Sequence, residues 1–569
     1  MERPIKFFSS DRRFLLALLA LLALSGLVVW PVGEFPLNDA WSYARSVRIF
    51  MEDGRFVLGQ FAVASLIFQV FWGGVLAKCF GFSFLLLRLA TQAWSFAGLA
   101  VFYLILRRLE VDRKRAFCGV LLCLFNPVYF NLSYTFMTEI PFQTLTLLAI
   151  FFFLKAERGG GAAPCLWSGV CAGLAVLARQ TAALLPAAML LALFWSGRWR
   201  GFSKRRAACL ILPPLAAAAG VHYWYVKFHA VSNQFFKRWE QLGDVGPGPT
   251  ADNVFGILFY IGFFLLPLIC GGLWERRRET WDFIRERKRL FVFFSVFILA
   301  GILNFWIKFA DRRGPAAVWQ PLMPYASNVF YDFGLGPMTL PDVYVVDRPF
   351  AGAWGPGFRA ALTAVTGLGV FGLLALLAAH WSQLKEACRK PGPAVFAFYA
   401  LLYAGFLLVT SHSKNGLFDR YLMIFVAPAA AVMLAAGLKL HVRAFLSVLA
   451  VFALFSVLGT QDYFSWNRAR WDLCRVLMQE YRVHPSKIMA GFEFYSFMGP
   501  NDFGSMQGAP ELGYVPSTER SKDRFVVTYA PVKAGKVLAE LPFFSLIRPG
   551  RPRLYLSVLE DGEHFPNQK

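Results

Sequence analysis

Long apolar runs separated by short basic clusters are the feature that most constrains the fold of this chain of 569 residues. The first run extends over about residues 14–31 and follows a basic N-terminal segment. An apolar run of about 20 residues is long enough to cross a bilayer as a helix. This first run could be a cleaved signal peptide, since 23–25 (ALS) is an acceptable cleavage site, but its length favours an uncleaved anchor. The pattern predicts a polytopic membrane protein.

The composition agrees with that prediction. Hydrophobic residues make up 57% of the chain and charged residues 16%, whereas a soluble domain carries about 25% charged residues. The formal net charge of +23 could indicate nucleic-acid binding, but the basic residues lie in short clusters between apolar runs. That distribution is typical of residues that fix membrane orientation. We therefore expect the membrane, and no nucleic acid, as a partner.

The remaining runs predict a mainly α-helical protein with about 13 transmembrane helices. They lie near 84–106, 116–132, 141–155, 164–178, 181–196, 208–226, 253–273, 290–308, 359–379, 394–411, 420–438 and 444–459. Residues 40–52 and 60–80 alternate polar and apolar positions too often for spans, which favours two helices lying at the membrane interface.

The basic clusters predict the topology. The strongest lie at 107–115, 198–206, 276–289 and 385–390. Each falls where alternation from a cytoplasmic N-terminus places a cytoplasmic loop, in agreement with the positive-inside rule. An odd number of spans then leaves the C-terminus outside. This topology makes 31–83 the first outer loop and 309–358 a long outer loop, rich in Gly and Pro, that could act as a lid.

The character of the chain changes after about residue 460. An amphipathic helix is predicted first, followed by short strand-like runs at 524–529 and 553–558 with Gly and Pro turns between them. We predict a transmembrane domain over 1–459 and a small soluble α/β domain over 460–569 on the outer side.

Cysteine and histidine give no local metal motif. The nine cysteines form no CxxC pair, and the seven histidines show no HExxH spacing. No cofactor can therefore be named from the sequence, and a divalent cation stays open.

The unusual polar residues fall on one side of the predicted topology, at the outer membrane interface. They are Asp39, Tyr43, Glu139, Arg179, His412, Lys414 and Arg420. A polyprenyl phosphate keeps its tail in the hydrocarbon and its charged head at the interface. Arginine and lysine bind such a phosphate, and a carboxylate can remove the proton of an attacking hydroxyl. This placement favours an enzyme that acts on a lipid-linked substrate.

Each of these residues also has a simpler structural explanation. Asp39 could cap the helix that follows it, and Glu139 could be a solvated acid at the start of a span. The two arginines could be interfacial cations whose apolar stems lie along the bilayer. His412 and Lys414 could be solvent-exposed in a polar turn, and Tyr43 could serve packing alone.

The order of these motifs resembles the type C membrane glycosyltransferases (GT-C). The motifs are NDAWSY at 38–43, TEIP at 138–141, RQT at 179–181 and RY at 420–421. Within that class the chain is most similar to the group of bacterial protein O-mannosyltransferases and lipid A aminoarabinose transferases. The resemblance implies a polyprenyl-phosphate-sugar donor, inversion at the anomeric carbon and a base on the first outer loop, the position of Asp39. Ala40 stands where many relatives carry a second acid.

The resemblance implies a hexosyl or pentosyl glycosyltransferase of a bacterial inner membrane. Its acceptor would be an extracytoplasmic lipid, glycan or protein. Asp39 and Glu139 would be catalytic, and Arg179, Lys414 and Arg420 would bind the donor phosphate, with Tyr43 and His412 as possible substrate contacts. An alternative is a transporter, flippase or ligase of lipid-linked sugars. A transporter would be expected to carry charged groups at the bilayer midplane, where this sequence has few.

Overall fold

The structure is a computed structural model that describes residues 9–58, 64–159, 161–228, 247–310, 329, 356–410, 417–498, 525–532, 535–548 and 550–559. Across these residues the chain is mainly helical, with one small sheet near the C-terminus, which confirms the predicted fold class. Most of the predicted loop 309–358 lies outside the described residues.

The α-helices fall into two groups along the chain. Those before residue 230 are Ser9–Val29, Ala40–Asp53, Ile67–Phe80, Phe84–Arg108, Arg113–Leu124, Pro127–Ser133, Glu139–Glu157, Ala162–Ala178, Leu184–Trp195 and Lys204–Phe228. Those after it are Pro247–Phe264, Leu266–Glu275, Arg277–Glu286, Lys288–Ala310, Pro356–Ala379, Trp381–Ala387, Pro391–Thr410, Asp419–Leu422, Val426–Ala435, Val442–Gln479 and Phe492–Met498.

Eight of the described helices are long and apolar enough to cross a membrane, or ten if two sharply bent pairs each form one span. The prediction of about 13 spans is therefore not confirmed. The runs predicted at 164–178 and 181–196 form helices of 17 and 12 residues, which are short for a full crossing. The run predicted at 420–438 is interrupted by a 3₁₀ turn at Met423–Phe425.

One bent pair turns the chain towards the site described below. The helices Arg113–Leu124 and Pro127–Ser133 meet at 70°. Asn126 lies at the break, where its Oδ1 accepts hydrogen bonds from the backbone N–H groups of Val128 and Tyr129, each at 3.1 Å. Proline fits the first position of a helix because its missing N–H has no partner there, so Asn126 and Pro127 begin a new helix in a new direction.

The two helices predicted at the interface are present. The first spans Ala40–Asp53, close to the predicted 40–52, and the second spans Ile67–Phe80, which begins later than the predicted 60–80. The two helices pack against each other, and the close approach requires Gly74, since a Cβ there would meet the ring of Phe50. A Cβ on Gly73 would meet Val47 on the first helix and the ring of Phe136 on a later segment.

The C-terminal part is built on one long helix. Val442–Gln479 is a continuous helix of 38 residues, so the apolar run and the polar segment after residue 460 form one element. The division into domains at 459/460 stays a prediction. The strands β1 (Ile488–Met489), β2 (Phe525–Thr528), β3 (Gly535–Pro542) and β4 (Arg553–Leu559) form a sheet in the order β1-β2-β4-β3. The β1–β2 pair is parallel, and the other two pairs are antiparallel.

Two buried ion pairs connect this helix to the elements after it. Arg470 Nη1 lies 3.0 Å from Glu493 Oε2, and both side chains are fully buried. Arg548 Nε lies 3.1 Å from Asp462 Oδ1, and that carboxylate is also buried. Because buried charges require compensating partners, these pairs fix the sheet and the helix Phe492–Met498 against the long helix.

The helices Ala162–Ala178 and Lys204–Phe228 approach closely at a glycine, which gives a packing prediction. A methyl group on Gly169 would meet the backbone carbonyl oxygen of Cys209. We expect Gly169→Ala to lower the free energy of unfolding by about 1–3 kcal/mol, because backbone atoms must move apart. Gly220→Ala is the matched control, since nothing lies within 4 Å of a Cβ there. Thermal unfolding in detergent measures both, and equal midpoints for the two variants would contradict this packing.

Candidate active site

A buried arginine fixes the segment that leads to Asp39. Arg88, on the helix Phe84–Arg108, donates hydrogen bonds to the carbonyl oxygens of Pro31 at 2.9 Å, Gly33 at 2.7 Å and Phe35. Its guanidinium carbon also lies 4.5 Å from the centre of the Phe35 ring. A guanidinium has five N–H donors in a rigid plane, so one side chain can hold several carbonyls. Arg88 thereby sets the path of the chain into the next helix.

Asp39 begins the helix Ala40–Asp53, but its side chain does not cap that helix. The preceding residue, Asn38, has a φ of +56°, in the left-handed region that asparagine tolerates better than most residues. The Asp39 carboxylate is directed to Arg420 instead, with 2.8 Å between Oδ2 and Nη1. The Asp39 side chain remains 34% exposed. The Asp39 side chain therefore pairs with Arg420 and does not cap the helix.

Glu139 lies between two arginines. Its Oε1 is 2.5 Å from Arg179 Nη1 and 3.5 Å from Arg420 Nε. The Glu139 side chain is 1% exposed, and the two arginine side chains are 12% and 9% exposed. Arg179 Nη1 also donates to Thr138 Oγ1 at 3.1 Å. One buried carboxylate thus holds guanidinium groups that are 241 positions apart in the sequence, at residues 179 and 420.

Aromatic rings lie along both guanidiniums. Arg179 lies over the ring of Tyr421 at 5.1 Å, and Arg420 lies over the rings of Phe418 at 5.1 Å and Tyr421 at 5.6 Å. The faces of aromatic rings attract cations, and the rings also exclude water. The rings limit the directions in which the two arginines can reach a ligand.

The charges of the cluster act on one another. Burial alone would lower the pKa of Arg420, but Asp39 and other anionic neighbours such as Glu139 outweigh it, and the net effect raises the pKa. Arg420 is therefore a permanent cation. Burial, and then the charge of Asp39, raise the pKa of the Tyr43 hydroxyl, so Tyr43 stays neutral.

The structure brings together Asp39, Glu139, Arg179 and Arg420, which were selected from the sequence as separate motifs. Tyr43 is buried one helical turn after Asp39. His412 and Lys414 lie outside the described residues. Sequence reasoning missed Arg88, whose signal was a single arginine within an otherwise apolar run. Thr138 and Tyr421 lie within the motifs TEIP and RY, but neither was selected as a site residue.

Within the described ranges, no three side chains of His, Cys, Asp and Glu lie close enough to hold a metal ion. The cluster instead offers two guanidiniums for an anion and one partly exposed carboxylate for a proton.

The family comparison agrees with the order of motifs. Residues 40–224 match the family model described as dolichyl-phosphate-mannose-protein mannosyltransferase. The matched segment begins one residue after Asp39 and contains Glu139 and Arg179. The resemblance to type C membrane glycosyltransferases is thus confirmed over this segment. A comparison with curated proteins finds no significant match.

The comparison with solved structures also finds similar chains. ArnT from Cupriavidus metallidurans bound to undecaprenyl phosphate is 14% identical, with 95% of this chain and 97% of that chain covered and a TM-score of 0.41. The archaeal oligosaccharyltransferase AglB from Archaeoglobus fulgidus, in complex with an inhibitory peptide and a dolichol phosphate, is 13% identical. The match covers 87% of this chain and 61% of the AglB chain, with a TM-score of 0.39. The Pmt1-Pmt2 protein O-mannosyltransferase complex of S. cerevisiae, bound to its sugar donor, is 15% identical, with coverage of 39% and 34% and a TM-score of 0.30.

The buried position of Glu139 gives a stability prediction. Glu139→Gln leaves two buried guanidiniums without their shared carboxylate, and we expect a loss of about 3–5 kcal/mol in the free energy of unfolding. Glu52→Gln is the control, because Glu52 forms an ion pair with Arg48 in which both side chains are about half exposed. Denaturant unfolding of the purified protein measures both. A loss as small as that of the control would contradict the buried ion-pair arrangement.

Proposed function

We propose that this protein is a membrane glycosyltransferase that moves a sugar from a polyprenyl-phosphate donor to an extracytoplasmic acceptor. The observation that carries the proposal is the Asp39 carboxylate, 34% exposed and 2.8 Å from Arg420, beside a second buried arginine. The family match over residues 40–224 supports a phosphate-linked sugar donor. The acceptor is a lipid, a glycan or a protein.

In this proposal Asp39 acts as the general base. Its carboxylate accepts the proton of the acceptor hydroxyl while that oxygen attacks the anomeric carbon of the donor sugar. The bond between that carbon and the phosphate oxygen breaks, and the phosphate leaves with the electron pair. Attack opposite the leaving group inverts the anomeric carbon.

Arg420 and Arg179 bind the phosphate of the donor. Negative charge grows on the phosphate as the bond breaks, and a fixed guanidinium stabilises it without reorganisation. Both arginines keep their charge and are held by rings and by Glu139, which reduces the entropy lost when the phosphate binds. Lys414 stays a further predicted phosphate ligand.

Glu139 takes a positioning role in this mechanism rather than a catalytic one. Its side chain is 1% exposed, and Oε1 is shared by the two arginines. A carboxylate that is almost fully buried is not open to an acceptor hydroxyl, unlike that of Asp39. Glu139 orients the two guanidiniums towards the donor.

Charge balance explains how the donor can enter. Among the described residues, two carboxylates and two guanidiniums of the cluster cancel in formal charge, so a phosphate that binds Arg420 competes with the carboxylate already paired to it. Asp39 is the exposed member at 34%, whereas Glu139 is buried at 1%. The phosphate therefore replaces Asp39 at Arg420, and this exchange frees the Asp39 carboxylate to accept a proton when the donor is present.

The first functional prediction concerns the base. We expect Asp39→Asn to lower the rate of sugar transfer by about 10²–10⁴-fold, because the amide cannot accept the proton. Asp53→Asn is the matched control at the other end of the same helix, where Asp53 pairs with the exposed Arg55. Transfer from a polyprenyl-phosphate sugar is measured in membranes with equal protein levels. Full transfer by the Asp39 variant would refute the base, and movement of the lipid without any transfer by the unmutated protein would favour a flippase.

The second functional prediction concerns the phosphate site. We expect Arg420→Ala to raise the donor concentration needed for half-maximal rate by about tenfold or more, because a charge-assisted contact is lost. Arg48→Ala removes a half-exposed arginine of the helix Ala40–Asp53 and serves as control. Initial rates over a series of donor concentrations separate this effect from a change in maximal rate. An unchanged donor requirement would remove Arg420 from the phosphate site.

A further inference from the structure

A polar cavity lies apart from the Asp39 cluster, where three helices end. Its lining includes Arg276, His380 and Gln383 together with apolar side chains such as Leu376 and Leu438. Arg276 lies between the helices Leu266–Glu275 and Arg277–Glu286, and His380 follows the helix Pro356–Ala379. None of these residues has a role in the proposed sugar transfer.

The cavity contains buried donors that lack an acceptor. Arg276 Nη1 lies 3.4 Å from His380 Nδ1. A guanidinium can only donate, so Nδ1 is the acceptor and the proton of the neutral ring is on Nε2. His380 Nε2 and Arg276 Nε are both buried and have no hydrogen-bond partner among the described residues. Burial, and then the charge of Arg276, lower the pKa of His380, which agrees with a neutral ring.

A further buried donor, outside the cavity lining, lies one helical turn from Arg276. The Thr280 hydroxyl is buried and also has no hydrogen-bond partner within the described part of the chain. The acid close to this group is Glu279, whose Oε2 lies 3.4 Å from Arg276 Nη1. The Glu279 side chain is 71% exposed, so this surface ion pair is weak. A buried polar group without a partner costs about 1–3 kcal/mol, and an anion accepting from Arg276 Nε and His380 Nε2 would remove that cost.

The surroundings of the cavity are typical of a membrane interface. Trp274 and Trp281 are each 55% exposed, and Trp381 is 66% exposed. Tryptophan is enriched where hydrocarbon meets lipid headgroups. The helix Arg277–Glu286 carries equal numbers of arginines and acidic residues together with Trp281, and it joins apolar helices at either side. The cavity thus combines a cation and neutral donors with apolar walls, near exposed tryptophans of the kind enriched at membrane interfaces.

We propose that this cavity binds the phosphate of an anionic membrane lipid. Arg276 supplies the charge, His380 Nε2 donates a hydrogen bond, and the leucine side chains contact the start of an acyl chain. A soluble phosphate would satisfy the same donors but would gain nothing from the apolar walls or from the exposed tryptophans. The lipid headgroup is therefore the source that the structure favours.

The experiment uses the full chain in nanodiscs that contain phosphatidylglycerol and phosphatidylcholine. Native mass spectrometry measures the anionic lipid that stays bound after the disc is removed. We expect Arg276→Gln and His380→Leu each to reduce retained phosphatidylglycerol by about tenfold relative to the unmutated chain, since each loses a buried donor. Phosphatidylcholine retention should not change in either variant.

The control separates this cavity from general surface charge. Arg278→Gln removes the same charge from an exposed position two residues away. Retention by the Arg278 variant should equal that of the unmutated chain. Equal losses in the Arg276 and Arg278 variants would overturn the proposal, because simple attraction to the basic surface would explain both.

A gain-of-binding variant keeps the proposal testable if the loss variants fold poorly. Glu279→Gln removes the carboxylate that competes for Arg276, and we expect about two- to threefold more retained phosphatidylglycerol. Unchanged or lower retention would count against the cavity. Inorganic phosphate is added in a further arm at millimolar concentration. Displacement of the lipid by inorganic phosphate would overturn the lipid assignment and identify a soluble anion as the ligand. These outcomes do not depend on sugar transfer, so they stand apart from the proposed function.

Discussion

The buried carboxylate of Glu139 is the interaction on which the site depends. It pairs with Arg179 and with Arg420, which are far apart in the sequence. Removing charges from water costs several kcal/mol for each ion, so such a cluster persists only when every member is paired. Pairing here requires three separate backbone segments to keep fixed positions. The ion pairs thus contribute little net stability but impose one arrangement on the segments that carry them.

Backbone geometry explains why these segments meet. The break at Asn126 redirects the chain before the turn that ends at Thr138 and Glu139. Arg179 follows a helix of 17 residues and has an extended backbone between two helical segments, which places its side chain beside Glu139. Arg88 holds the loop before Asp39 by three carbonyl groups. In each case a helix ends early or bends, and the polar residue lies at that end.

Much of the fold followed from the hydrophobic pattern, because the length and polarity of a run decide whether a helix can cross a bilayer. Asp39, Glu139, Arg179 and Arg420 could be selected as well, since their order and common side do not require knowledge of contacts. The pattern could not show that the run at 420–438 is interrupted, because a 3₁₀ turn leaves composition unchanged. The hydrophobic pattern also could not show that the helix Val442–Gln479 continues past residue 460. Polar residues follow the apolar run there, and from sequence alone they indicate a separate segment, although many of them are buried in the structure.

The two polar sites differ in how their charges are balanced, and this difference decides what each can bind. At Asp39 two carboxylates neutralise two guanidiniums. In the proposed mechanism the donor phosphate therefore replaces Asp39 at Arg420, and phosphate binding is coupled to release of the Asp39 carboxylate. At Arg276 the nearby carboxylate is 71% exposed and two buried donors have no acceptor among the described residues. An anion there adds to the site without replacing a buried partner. The first arrangement suits a substrate that must arrive and leave in each turnover, because the competing carboxylate returns when the phosphate departs. The second suits a ligand that remains bound, because its departure would again leave buried donors unsatisfied.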